Sequence, residues 1–354
     1  MEPDAQPSPN EPYTHRGLTY PFGRRAPEPG QIIDIAPGLA WARLPVPGSL
    51  KHVNIWLLDD GDDVAVVDTG LDIAPCREAG ESLLSGPLAG RQVSRVIVTH
   101  FHPDHVGLAG WLCQELGAEL WMTQTEWLMA QALSIDERNH IHGSRVDFYR
   151  AHGLDEDWLS QFADRGEPYR TRVAPVPSVF RRMEAGQRIR IGRHDWEVMI
   201  GRGHAPEHAC LYSADAGVLI SGDIVLPRIT PNVSVWPSQP EADPLGEYLG
   251  CLDQFVDLPA DTLVLPSPRL PFHGLHARVQ ALKDHHDDRL ADVMGALDQP
   301  RTAADILPVL FRRKLDLHQI GFAIGEAIAH LAYLHQRGRI RREPRADGVL
   351  VYSR

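Results

Sequence analysis

Positive charge is scarce in this sequence: 35 Lys and Arg stand against 47 Asp and Glu, a formal net charge of −12. Phosphate backbones are gripped by Lys and Arg, so this balance argues against a general nucleic-acid binder. Cysteine is scarcer still. Cys76, Cys113, Cys210 and Cys251 lie far apart and form no Cys-x-x-Cys pair. The pattern predicts reduced, partly buried thiols in a cytoplasmic protein. No apolar run approaches the ~18–20 residues that a membrane span requires. The start, Met1-Glu2-Pro3-Asp4, is acidic and Pro-rich. It has no apolar core of the kind a secretory signal needs. What remains is an ordinary globular composition, 43% hydrophobic over 354 residues. That length suits one large domain with a small appendage.

Histidine, by contrast, is concentrated. Residues 99–105 read Thr-His-Phe-His-Pro-Asp-His and directly follow residues 93–98, a β-branched run that reads as a buried strand. In extended backbone, residues two apart point the same way, so His100 and His102 can converge on one ion. Pro103 turns the chain, and Asp104 and His105 can then face a second ion. Three imidazoles and a carboxylate on one tight loop suit zinc. The competing reading, a polar turn with incidental histidines, leaves clustered polar groups without partners.

The segment His100–His105 resembles the His-x-His-x-Asp-His signature of the metallo-β-lactamase superfamily. Other landmarks occur in the order of that family. Val64-Ala-Val-Val-Asp68-Thr-Gly70 is similar to its early strand ending in Asp-x-Gly. Gly203-His204-Ala-Pro-Glu-His208 is similar to its third motif, and Leu219-Ile-Ser-Gly-Asp223 to its fourth. The resemblance implies an α/β protein with the αββα sandwich of that family. It also implies one zinc held by His100, His102 and His204, and a second held by Asp104 and His105, with Asp223 bridging both. A hydroxide between the ions would attack an ester-type small molecule, such as a thioester or lactone. Asp104 would be the catalytic residue that orients it and passes a proton to the leaving group. Asp68 is expected behind the ligands, bonding a histidine or the loop backbone. His208 is expected there too, or in a purely structural hydrogen bond. The fold does not specify a substrate.

One position departs from the family. The family usually places a last histidine after the strand read at 262–265, in a Pro-Ser-His-Gly-like stretch. Here the stretch is Pro266-Ser267-Pro268-Arg269, and Pro268 has no ligating side chain. His273 is the nearest histidine and is expected as a replacement ligand at the Asp104/His105 site. Otherwise the second site is one protein ligand short and His273 is a surface residue.

Residues 1–30 hold seven prolines and read as a mobile or surface-hugging arm. Residues 31–300 read as the catalytic domain. Within it, residues 123–180 form a helical insertion near the pocket, with helices at 124–133, 144–152 and 155–162. Its His140, His142 and His152 are expected to be solvated or capping. His276, His285 and His286 fall on a helix over 275–297. The adjacent pair faces about 100° apart and cannot both reach the metals. Residues 301–354 read as two helices, 302–313 and 318–336, and two short strands, 339–342 and 349–352. That order resembles a winged-helix domain, a tail that several hydrolases of this family carry. The segment from 302 has nine Lys and Arg against five Asp and Glu. Yet its second helix is apolar, with few side chains suited to base edges. A structural cap, a pocket wall or a homodimer contact is therefore expected in preference to nucleic-acid binding. The alternatives are a phosphoesterase or ribonuclease using the basic tail, a binding protein on a degraded hydrolase scaffold, and a mononuclear iron oxygenase.

Overall fold

The computed structural model describes residues 11–48, 50–136, 140–165 and 169–354. The chain enters through a hairpin, β1 (Tyr13–His15) and β2 (Leu18–Tyr20). Residues 1–10 of the expected arm lie outside the described residues. From residue 11 onward the arm hugs the body: Leu18 and Tyr20 are buried, and Thr19 bridges to His273.

Runs of β-branched and aromatic residues then build two sheets. The first follows chain order: β3 (Ile33–Ala36), β4 (Leu39–Pro45), β5 (His52–Asp60), β6 (Asp63–Val67), β7 (Val93–Ile97), β8 (Glu119–Thr123) and β9 (Arg181–Met183). The strands from β3 to β6 meander antiparallel. From β6 to β9 they are parallel. Parallel neighbours need a crossover, and helices fill each one. These are α1 (Ala74–Ser85), then α2 (Pro103–Val106) and α3 (Ala109–Leu116), then the insertion helices α4 (Gln124–Ile135), α5 (His140–Ala151) and α6 (Glu156–Arg165).

The second sheet holds β10 (Arg188–Ile191), β11 (His194–Gly201), β12 (His208–Ser213), β13 (Val218–Gly222) and β14 (Leu263–Pro266). Only β13 and β14 are parallel, and their crossover carries α7 (Pro244–Cys251). The two sheets meet face to face on Trp41, Trp56, Val67, Ile97, Trp196 and Ile220. Leu83 of α1, Leu112 of α3 and Ala130 of α4 cover the outer face of the first sheet. The outer face of the second is covered by α7, α8 (Leu275–Ala296), α9 (Ala303–Leu310) and α10 (Leu317–Gln336). The layers are therefore αββα, as the motifs implied.

The chain ends in a hairpin, β15 (Arg341–Pro344) and β16 (Leu350–Ser353). The helix, helix, hairpin order expected for the tail is present as α9, α10, β15 and β16, and the tail packs into the body. Ile324, Ile328, Leu331 and Leu334 of α10 are buried in one core with Leu245 of α7 and Leu282 of α8. The apolar face that disqualified this helix as a base reader fills the body of the protein. The basic surplus is also partly engaged within the chain. Arg337 pairs with Asp243 at 2.6 Å, Arg342 with Glu241 at 2.8 Å and Arg345 with Asp347 at 2.5 Å. Among the described residues no helix is long and apolar enough to cross a membrane.

Candidate metal centre

Strand ends gather at one edge of the sandwich. Asp68 follows β6, His100 and His102 follow β7, His204 follows β11, Asp223 follows β13 and Ser267 follows β14. The Ala209 N–H donates to the Thr99 carbonyl at 2.8 Å and ties the two sheets together at this edge. Pro103 opens α2 with His102 at its N-cap. The strand ends at Ile97, and the chain bends at Thr99, Phe101 and His102 before α2 begins.

His100, His102 and His204 form one cluster. His100 Nε2 lies 2.8 Å from His102 Nδ1, and His204 Nε2 lies 3.1 Å from the latter and 3.3 Å from the former. Hydrogen bonds alone do not satisfy this triangle, because a neutral imidazole has one N–H. His204 gives its Nδ1 hydrogen to the Asn232 carbonyl at 2.8 Å. His100 Nδ1 lies 3.0 Å from the Thr99 hydroxyl, which faces both Asp68 oxygens at 2.9 Å. With the hydroxyl hydrogen on Asp68, the His100 hydrogen sits on Nδ1. Two lone pairs then point into a triangle with at most one proton in it, a donor set that fits a cation. Burial and the surrounding imidazoles push His100 and His102 well below the ordinary histidine range. That keeps them unprotonated and able to ligate.

The second cluster is held from behind by Asp68. His105 gives its Nδ1 hydrogen to Asp68 Oδ2 at 2.8 Å. Its Nε2 then faces Asp104 and Asp223, each 3.7 Å away. Burial opposes a charge on His105, but Asp68, Asp104 and Asp223 outweigh it and raise the imidazole to about 10. The carboxylates demand positive charge at this nitrogen, and a metal ion meets that demand as a proton does. Asp223 Oδ2 also lies 3.6 Å from His204 Nε2, so this carboxylate stands between the clusters. Its Oδ1 is buried and has no hydrogen-bond partner among the described residues. Two groups of potential ligands result, His100/His102/His204 and His100/His105/Asp223.

Asp68 and His208 sit behind these groups. Asp68 has a left-handed φ of +62°, which Asp tolerates better than most residues. Its carboxylate also accepts the Thr99 N–H at 2.8 Å and the Ser267 hydroxyl at 3.2 Å. His208 Nε2 accepts the Asp223 N–H at 3.1 Å, and its ring stacks on His100 with centroids 4.7 Å apart. That approach requires Gly222, where a Cβ would come within 2.3 Å of the His208 ring.

The expectation for His273 is corrected. Its Nδ1 bonds the Asp261 carbonyl at 2.9 Å, and its backbone exchanges two hydrogen bonds with Thr19 of the arm. It belongs to neither ligand group. The 266–269 stretch has nonetheless stayed beside the centre. Ser267 reaches Asp68, and the Asn54 amide fastens the Pro266 and Arg269 carbonyls at 2.7 and 2.6 Å. Pro268 is buried. The loop is in place and carries Pro268 at the position where the resemblance leads one to expect a histidine.

Other histidines stay apart. His152 bonds the Phe148 carbonyl, and His276 the Leu258 carbonyl. His286 packs on His330 at 3.4 Å. The side chains of His140 and His142 lie outside the described residues. Sequence reasoning missed Thr99, Asn232 and Glu126, all of which hold the centre from behind. Thr99 opens the histidine heptad and could have been found there. Asn232 acts through its backbone carbonyl, which leaves no sequence signal.

Residues 48–267 match the family model described as Metallo-beta-lactamase superfamily. The chain belongs to the metallo-β-lactamase superfamily. Residues 290–354 match a second model, Metallo-beta-lactamase-like, C-terminal domain. Among solved structures, this superfamily member is similar to a beta-lactamase domain protein from Burkholderia ambifaria. The two are 42% identical with a TM-score of 0.90, covering 95% of this chain and 98% of that one. A metallo-beta-lactamase family protein from Thermus thermophilus is 31% identical with a TM-score of 0.77, over 90% and 99% of the two chains. Among curated proteins, "Probable metallo-hydrolase YqjP" of Bacillus subtilis (strain 168) is 23% identical over 82% of this chain and 90% of that protein. The chain is thus a metallo-hydrolase of the superfamily, with a His-rich group of metal-binding geometry.

Proposed function

We propose that this chain is a dinuclear zinc hydrolase acting on an ester-type small molecule, a thioester, lactone or similar. The observation that carries the proposal is Asp223. It stands between two nitrogen-rich clusters, 3.6 Å from His204 and 3.7 Å from His105, with a buried oxygen lacking a partner among the described residues. His100, His102 and His204 would hold one ion. Asp104 and His105 would hold the other, with Asp223 bridging. Bound zinc supplies Lewis acidity, which makes water a nucleophile near neutral pH and polarises a scissile carbonyl.

The chain's own residues do the rest. Asp68 and the Asn232 carbonyl fix the tautomers of His105 and His204. Asp104 is 31% exposed where Asp223 is 16% exposed. It is therefore the carboxylate placed to exchange a proton between solvent and a leaving group. Beside His102, Phe101 packs on Trp236 at 5.6 Å, and Arg145 of α5 lies over that indole at 5.2 Å. The nuclease alternative loses support because α10 lies in the core and the tail's Arg337, Arg342 and Arg345 are paired within the chain. The free thiols fit a cytoplasmic setting.

A hydrolysis screen of zinc-replete protein over thioesters, lactones, β-lactams, phosphodiesters and phosphotriesters tests this, with metal content measured alongside. Two zincs and turnover confined to carboxylic esters or thioesters are expected. Turnover of phosphodiesters alone would overturn the substrate class, and a protein that takes up no metal would overturn the hydrolase.

A further inference from the structure

We propose that Glu126 is a positioning residue of the metal centre, whose carboxylate clamps the His100–His102 loop to the His204 loop across the sandwich. The inference rests on the metal-centre reading above and adds to it a residue from the helical insertion.

The first turn of α4 reads Thr123-Gln124-Thr125-Glu126. That is the order of a capping box, in which Thr and Glu satisfy each other's backbone N–H groups. Neither does so here. Thr123 is the N-cap residue but makes no side-chain cap bond. Its hydroxyl instead donates to the Glu207 carbonyl at 2.8 Å. Glu126 Oε2 accepts the Phe101 N–H at 3.0 Å, and Oε1 accepts the Glu207 N–H at 2.6 Å. The Thr125 N–H donates to the Glu207 carboxylate at 3.0 Å.

Phe101 lies between His100 and His102, at the end of the first sheet. Glu207 lies between His204 and His208, at the edge of the second. The Thr123 hydroxyl, the Thr125 N–H and the Glu126 carboxylate are thus all directed to the ligand loops. Glu126 is 0% exposed. A buried carboxylate is tolerated only when its oxygens are engaged, and here each oxygen engages a different ligand loop. The carboxylate fixes the separation of backbones whose side chains must converge within about 3 Å, the range their nitrogens already show. Glutamine at this position keeps the size but turns an NH2 toward one of the two N–H donors, so one arm of the clamp must open.

The test compares zinc affinity of the wild type and Glu126→Gln by chelator competition. The visible absorption of the cobalt(II)-substituted proteins reports ligand geometry, which a merely structural change elsewhere would not move. Glu126→Gln is expected to fold, to bind zinc roughly 10–100-fold more weakly, the usual effect of losing an outer partner of the ligands, and to show an altered cobalt spectrum. Wild-type affinity and spectrum in folded Glu126→Gln would overturn the proposal. Gln131→Ala loosens the far end of α4 from the Val176 and Pro177 carbonyls. It is expected to lower Tm without changing the spectrum, and an equal loss of zinc there also counts against the clamp. Should Glu126→Gln not fold, Glu126→Asp keeps the charge but shortens the side chain, so that it cannot hold both N–H groups. It should weaken zinc binding as well, and unchanged affinity overturns the clamp. A wild type that binds no zinc would contradict the metal centre itself. A wild type that binds it tightly beside unaltered variants contradicts the clamp alone.

Discussion

His204 and His105 are held in the same way, each handing its Nδ1 hydrogen to an oxygen 2.8 Å behind it, yet the halves of the centre they serve are not equivalent. The His100/His102/His204 half is made of imidazoles that burial keeps neutral, and its three nitrogens already lie within 3.3 Å of one another. The other half surrounds one imidazole with Asp68, Asp104 and Asp223, and where the family adds a histidine it offers buried Pro268. On the proposed reading, the first half would hold an ion through three imidazole nitrogens at fixed positions. The second would attract one by charge, with one protein donor fewer. The contrast then predicts a tighter ion beside a weaker one.

The largest expected effect separates the halves by activity. Asp104→Ala should lower turnover by about a thousandfold, equivalent to about 4 kcal/mol, and reduce bound zinc from two toward one. The fold should persist, because Asp104 is partly exposed. His208→Ala should be milder, since its ring touches Asp223 only through the backbone. Steady-state kinetics with metal analysis checks both, and an Asp104 variant of near-normal activity would place the chemistry elsewhere.

Asp68→Asn is next. An amide cannot accept from Thr99, His105 and Ser267 through both of its terminal atoms as the carboxylate does. Zinc affinity of the Asp104/His105 half should fall roughly 10–100-fold, with the His100/His102/His204 half less affected. Equal loss at both halves would mean that Asp68 holds the whole loop and not His105 in particular.

Pro268→His restores the family's usual ligand on a loop that Asn54 and Ser267 keep in place. About tenfold tighter binding of the second zinc is expected, from one added nitrogen donor. No change would show that the carboxylates already saturate that ion.

The smallest effect lies away from the centre. His286 and His330 meet at 3.4 Å where α8 and α10 join, and burial lowers them to about 3 and about 4. Below pH ~6.5 the unfolded chain takes up protons that the fold refuses. Their contribution is complete above that pH and is lost as pH falls toward 4. Glu326, raised to about 7 by burial, works in the opposite sense and offsets part of the loss. A net destabilisation of about 1 kcal/mol by pH 5 follows. In metal-free protein, the fall of Tm between pH 7 and pH 5 should be shallower in His330→Gln than in wild type. Equal slopes would mean that the joint does not titrate.

The centre was legible because its ligands follow strands whose β-branched runs mark where the chain stops being extended. Alternation then aims His100 and His102 the same way, and Pro103 marks the turn. What escaped the sequence depends on contacts distant in the chain. His273 follows a proline-rich stretch that suggests a swing inward, but Thr19 of the arm pairs with its backbone and Asp261 takes its ring. The apolar run of α10 was readable as a packing surface. Its partners, α7 and α8, were not, so the core it shares with them could not be read from the sequence. Thr123 to Glu126 has the local pattern of a helix start, and nothing local shows that its polar groups serve loops from both sheets.

Calorimetric titration of the metal-free protein with zinc probes the inequality of the two halves without any substrate. Two binding events of different affinity are expected, the tighter one missing in His102→Ala and the weaker one missing in Asp104→Ala. A single event, or two of equal affinity that respond alike to both substitutions, would contradict the inequality.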